Sequence, residues 1–251
     1  MDEVFTAALV GGLIGTFFGG FSKFLWERWL PDWLTWRRTQ RMDREHQLSI
    51  VRAPAIRAFS DLHWRLFAII SNMANEHKYA KSVGEGTYYV DSTAYLVGRA
   101  FAWQEILRRR MAAYDYAELY TKLELLTTAF SHGRPGFQVF RHQQTEIGER
   151  LIVTTDGGDS GCMALSDFLD LLGGENPPHW IAALQSRMMP ILDDPANELV
   201  RAASIDDVLT NLVGFLDPKG RWHQDAAAPS IDISDTIDAW QEHGMISGSS
   251  R

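Results

Sequence analysis

Over residues 53–217 apolar side chains recur at intervals of three and four, the period of a helix that turns one face to a core. Ile56, Phe59, Leu62, Leu66, Ile69, Ile70 and Met73 predict a helix from about Ala53 to Glu76, with Pro54 at a tolerated early position. Tyr95, Leu96, Ala100, Trp103, Ile106 and Leu107 predict a second, capped by Asp91 or Ser92 and carrying Arg108, Arg109 and Arg110 toward its end, where positive charge complements the helix dipole. Leu119, Leu123, Leu126 and Phe130 mark a third helix over Tyr114–Phe130. Val139, Phe140, Ile147, Leu151 and Ile152 mark a fourth over Phe137–Val153. Shorter helices are expected at 164–172, 178–192 and 195–216, punctuated by Gly173-Gly174, Asp193-Asp194-Pro195 and Asp217-Pro218. Alternating β-branched runs are scarce, so the expected fold class is all-α, a multi-helix bundle.

Upstream the periodicity gives way to a continuous apolar run. Residues 4–26 contain one charge, Lys23, and about 20 such residues cross a hydrocarbon core roughly 30 Å thick. A single N-terminal transmembrane helix is therefore expected over 4–26. Gly11, Gly15 and Gly19, with Gly12, Thr16 and Gly20 beside them, form a ribbon of small residues that lets two membrane helices approach closely. Trp26, Trp29, Trp33 and Trp36 follow at the spacing of one helix face and suit the headgroup zone. Residues 27–52 are expected as an amphipathic juxtamembrane helix whose Arg37, Arg38, Arg41 and Arg44 lie near anionic lipid. Residues 218–251 are expected as an acidic tail with a short amphipathic segment, Ile231–Trp240.

Charge orients this arrangement. Between Lys23 and Arg52 seven basic residues face four acidic ones, whereas only Asp2, Glu3 and the free amine precede the span. The positive-inside rule then places the N-terminus outside and the C-terminal domain in the cytoplasm of a bacterial inner membrane. The n-region lacks Lys and Arg and no small-x-small site follows, which argues against a cleaved signal peptide. From residue 155 onward sixteen acids stand against five bases, so nucleic acid is not an expected partner. Cys162 is the single cysteine of the 251 residues, which excludes an intramolecular disulfide and fits a reducing compartment.

Candidate chemistry is sparse. His142, Glu146 and Glu149 share one face of the fourth predicted helix and are the weak catalytic or metal-site candidates. The sequence has no Glu-x-x-His pair of the di-iron type, and His–Glu at four is commonly a surface pair. His63 is expected as a core or boundary histidine, Glu105 as a partner of Arg108 or Arg109, and Cys162 as a packed thiol. Thr154–Gly161, TTDGGDSG, reads as a loop without the Lys-Ser/Thr of a phosphate cradle, and no dinucleotide, zincin or nucleophile-elbow motif occurs. No metal or cofactor is expected.

The segments TYYVDSTAY at 87–95, FAWQEILRR at 101–109 and FRHQQTEIGE at 140–149 resemble a group of bacterial proteins that join an N-terminal membrane helix to a cytosolic helical domain. The resemblance extends from the span to about Asp217 and implies that architecture. It carries no catalytic residues with it. The expected function is a membrane-anchored protein-interaction or sensing module that self-associates through the membrane helix, with membrane lipid and a further protein as partners. The competing expectations are an enzyme or metal site centred on His142, Glu146 and Glu149, and a membrane-disrupting effector.

Overall fold

The structure, a computed structural model, describes residues 30–74, 88–112, 116–132, 137–154, 158–190 and 195–220. The expected span at 4–26, with its glycine ribbon, Trp26 and Trp29, lies outside the described residues, as does residue 221 onward. Among the described residues no helix is long and apolar enough to cross a membrane.

Seven helices and one hairpin make up the described part: α1 Leu30–Ala74, α2 Tyr88–Met111, α3 Ala117–Ser131, α4 Arg141–Leu151, β1 Ile152–Thr154, β2 Ser160–Cys162, α5 Leu165–Gly173, α6 His179–Met188 and α7 Pro195–Leu216. The predominantly helical class read from the periodicity holds. The chain forms two compact units, residues 1–49 and 50–251. In the first, the described residues are the opening turns of α1, where Trp36 and Met42 are exposed and the Arg37 guanidinium lies 4.0 Å above the Trp33 ring.

Three boundaries differ from the sequence expectation. A fresh helix was expected near Ala53, but α1 is one element with Pro54 inside it. Proline removes a single backbone donor, and the turns on either side keep their own hydrogen bonds. Asp91 and Ser92 were expected to cap α2, but the helix begins at Tyr88. Asp91 instead accepts a 2.6 Å bond from Gln185 Nε2 of α6, and Ser92 Oγ donates to the Tyr89 carbonyl at 3.1 Å. The helix expected through Val153 stops at Leu151, because Ile152, Val153 and Thr154 are three consecutive β-branched residues and pair antiparallel with Cys162, Gly161 and Ser160. Gly158, at φ +79°, supplies the left-handed residue of the hairpin loop.

In the second unit α2 is the hub. It packs against α4, α5, α6 and β2, and hydrogen bonds tie it to α1 and α3. Its sequence allows this because small residues are spread around the helix: Ser92, Thr93, Ala94, Gly98, Ala100 and Ala102 are all buried. Gly98 and Gly148 let α2 and α4 approach closely. A Cβ on Gly148 would lie 2.8 Å from the Phe101 carbonyl oxygen, and one on Gly98 would lie 2.5 Å from Leu151 Cδ1. The core between these helices is aromatic at its centre, with Phe101 edge-on to Phe130 at 4.8 Å and Phe130 tilted against Phe137 at 5.7 Å. Each such buried side chain contributes about 1.5–3 kcal/mol of transfer free energy.

The buried stripe of α3 is Leu119, Leu123, Leu126 and Phe130, as its spacing predicts. Phe140 departs from the pattern: it is 44% exposed, because it precedes α4 at the N-cap and stacks on His142.

Candidate functional site

Two polar regions flank α2, and they are built differently. The first is a sealed seam with α3 and α4. Gln104 is 1% exposed and its Nε2 donates to the Leu123 carbonyl at 2.9 Å and to Thr127 Oγ1 at 2.6 Å. Thr127 Oγ1 also accepts from Arg108 Nη2 at 2.6 Å and donates to the Leu123 carbonyl at 3.0 Å. Gln144 Nε2 donates to the Thr127 and Val139 carbonyls at 2.9 and 2.8 Å. Glu124 closes the outer side, bonded to Arg108 and, through both carboxylate oxygens, to Arg141 at 2.9 Å. Amide donors meet acceptors throughout, which is what burial demands. The Oε1 atoms of Gln104 and Gln144 are buried without a hydrogen-bond partner among the described residues.

The second region is a cleft of about 470 Å³, open to solvent, where α1 and α2 meet the β2–α5 junction. Asp61 and Arg65 reach it from α1 at the i,i+4 spacing that aligns side chains on one face. Ser92, Tyr95, Leu96, Arg99 and Trp103 reach it from α2, again three and four apart. Cys162, Met163, Ala164 and Leu165 close it from the hairpin side. Its volume falls within the range of small-ligand sites, although its lining is as polar as it is apolar.

The polar groups of the cleft are fixed in place. Arg99 Nη1 donates to Asp61 Oδ2 at 2.7 Å. Arg65 Nη1 donates to Ser92 Oγ and Thr93 Oγ1, both at 3.0 Å, and to the Tyr89 carbonyl at 3.3 Å. The Arg65 guanidinium also lies 4.5 Å from the centre of the Tyr89 ring. Tyr95 hydroxyl donates to the Met163 carbonyl at 2.8 Å, which holds the strand end against α2. Arg110 bonds Asp159 at 2.7 Å and ties the hairpin to the end of the same helix.

Burial pushes the Cys162 thiol up to about 11, with Arg99 pulling the other way. Burial also raises the Tyr95 phenol, helped by Cys162, against the opposing pull of Arg99. Both groups are therefore neutral at pH 7, and Cys162 is a thiol rather than a nucleophilic thiolate. The ionised groups lining the cleft are Arg65, Arg99 and Asp61.

His142, Glu146 and Glu149 are exposed on α4 and none of them lines the cleft. The His142 ring stacks on Phe140 with centroids 6.1 Å apart, and Glu149 is bonded to Arg109. Among the described residues no group of three or more His, Cys, Asp or Glu is placed to hold a metal ion. Arg109 Nε also bonds Glu105 at 2.8 Å, the intrahelical pair expected from the spacing. His63 is a boundary residue, 5% exposed, with Nδ1 2.7 Å from Asp206 Oδ1 of α7 and, among the described residues, no hydrogen-bond partner at Nε2.

Arg65 and Arg99 are the cleft residues that sequence reading passes over. The signal was available in a weak form. Each is a lone arginine inside an otherwise apolar stretch, Arg65 between His63-Trp64 and Leu66-Phe67, and Arg99 between Val97-Gly98 and Ala100-Phe101.

No protein-family model matches the chain, and no curated protein or solved structure matches it either.

Proposed function

We propose that the chain is a single-pass, membrane-anchored sensing module of a bacterial inner membrane, with its N-terminus outside and its helical domain in the cytoplasm. Residues 4–26 anchor it, Gly11, Gly12, Gly15, Thr16, Gly19 and Gly20 pair copies, and the α1–α2 cleft receives a small ligand. The observation that carries the sensing part is the cleft itself, a cavity of about 470 Å³ whose arginines are positioned by hydrogen bonds before any ligand arrives. Supporting the anchor are the uncharged stretch, the basic flank behind it and the exposed Trp36 at the start of α1. In this reading membrane lipid is the constant partner and a protein partner reads the ligand state.

Reporter fusions at both ends, combined with a membrane two-hybrid assay, test the anchor. A cytoplasmic C-terminus is expected, with self-association several-fold weaker in the Gly15→Leu, Gly19→Leu double variant. A C-terminus outside the membrane, or association unchanged by both substitutions, contradicts the anchored, paired arrangement.

A further inference from the structure

The two arginines of the cleft are paired differently. Arg99 has the Asp61 carboxylate as its partner. Among the described residues Arg65 has no carboxylate partner; Ser92 Oγ, Thr93 Oγ1 and the Tyr89 carbonyl that hold it are all neutral. These three bonds all use Nη1, so the Nε and Nη2 donors are left for another acceptor. Among the described residues no carboxylate offsets its charge within a half-buried wall, and the hydrogen bonds together with the Tyr89 ring fix its orientation.

We propose that the cleft binds a small organic oxyanion, its carboxylate or phosphate head held by Arg65 and its apolar body lying along Leu96. This rests on the reading of the cleft as a ligand site. A guanidinium offers a planar fork that matches two oxygens of either head group, and one already anchored on its other side loses little freedom on binding. With Asp61 offset by Arg99, the lining carries one net positive charge. Leu96, one helical turn from Ser92, adds an apolar surface beside that charge, and Arg99 sits within the same lining as a second donor. A neutral ligand of the same shape leaves Arg65 without a counter-charge, and a cation is repelled.

Calorimetric titration of the detergent-solubilised full chain tests this with four probes: benzoate, phenyl phosphate, the neutral analogue benzyl alcohol, and the soluble lipid dihexanoyl phosphatidic acid. The expected result is that at least one anion binds tenfold or more tighter than benzyl alcohol. Arg65→Met is expected to remove that preference, with Arg65→Lys restoring part of it. Since Arg65 also braces α1 against α2, Ala164→Glu serves as an independent variant: it places a negative charge on an exposed position of the lining and is expected to weaken the anion tenfold with the unfolding temperature unchanged. Preference for phosphatidic acid over benzoate and phenyl phosphate assigns the oxyanion to a lipid headgroup, and the reverse assigns it to a free metabolite. Equal binding of benzyl alcohol and the anions, or anion binding indifferent to both variants, overturns the oxyanion assignment while leaving the cleft a ligand site. Failure of all four probes to bind overturns both.

Discussion

The two sides of α2 solve the same problem in opposite ways. On the α3–α4 side, Gln104, Thr127 and Gln144 are at most 3% exposed, and their donors are taken up by two carbonyls and one hydroxyl of α3 and by the Val139 carbonyl ahead of α4. On the α1–hairpin side, Arg65 and Arg99 are held equally firmly, yet a cavity of about 470 Å³ is left in front of them. Gln104 and Gln144 spend both amide hydrogens on fixed acceptors, although their Oε1 atoms have no hydrogen-bond partner among the described residues, and donors used up in this way specify one packing. Anchored donors facing an open cavity are arranged for an acceptor that comes from outside. The comparison separates polar groups that make the fold from polar groups that the fold presents.

Breaking the first side is expected to cost the most. Gly148→Ala puts a methyl 2.8 Å from the Phe101 carbonyl oxygen and 3.0 Å from its carbon, both backbone atoms that shift only if α2 and α4 move apart. A loss of about 3 kcal/mol in denaturant unfolding is expected. Gly98→Ala, whose methyl meets side-chain atoms rather than backbone, Leu151 Cδ1 at 2.5 Å and Ile147 Cγ2 and Leu184 Cδ2 at 3.4 Å, is expected to cost less. A Gly148→Ala loss smaller than that of Gly98→Ala argues against a backbone-to-backbone seam. Next in size is Gln144→Ala, which leaves the Thr127 and Val139 carbonyls without its two bonds. Removing partners from buried acceptors costs about 2 kcal/mol, read as a shift of the unfolding midpoint at constant slope.

A smaller effect sharpens the cleft side. Cys162 loses its proton at 9.0 when unperturbed and at about 11 in the folded chain, because burial disfavours the thiolate. Folding therefore keeps this contribution below pH 9 and loses it as pH rises from 9 toward 11. The expected loss is about 1–2 kcal/mol, discounted for the partial exposure of the site. Measured as the difference between wild type and Cys162→Ser at each pH, it isolates this group from the titration of other residues. A difference that stays flat across this range shows that the thiol is not held in a desolvated lining.

How much of this was legible in the sequence follows from which surfaces each segment buries. Helix α3 has one core face, so Leu119, Leu123, Leu126 and Phe130 spell it out in a single stripe. Helix α2 is buried nearly all round by small and polar residues, and its stripe of Tyr95, Ala100, Trp103 and Leu107 records only part of what it packs. Ile152–Thr154 looked like the end of a helix because Leu151 and Ile152 continue its apolar pattern, and the partner strand, Ser160–Cys162, has no hydrophobic signature to reveal the hairpin. The cleft was illegible for a related reason. Asp61, Arg65, Arg99 and Cys162 come from segments up to about a hundred residues apart, and only the packing of α1, α2 and the hairpin brings them together. His142, Glu146 and Glu149 were visible because they share one helix, and that local spacing is what places them together on an exposed face.

Hydrogen exchange of the full chain, with and without saturating phenyl phosphate, tests most directly the claim that the cleft receives the ligand and the seam does not. Slower exchange is expected in the Ser160–Leu165 strand and junction and around Ser92–Arg99, with α3 amides at Leu119–Phe130 unchanged. Slowing confined to α3 and α4, or no change at the cleft with phenyl phosphate bound, contradicts it.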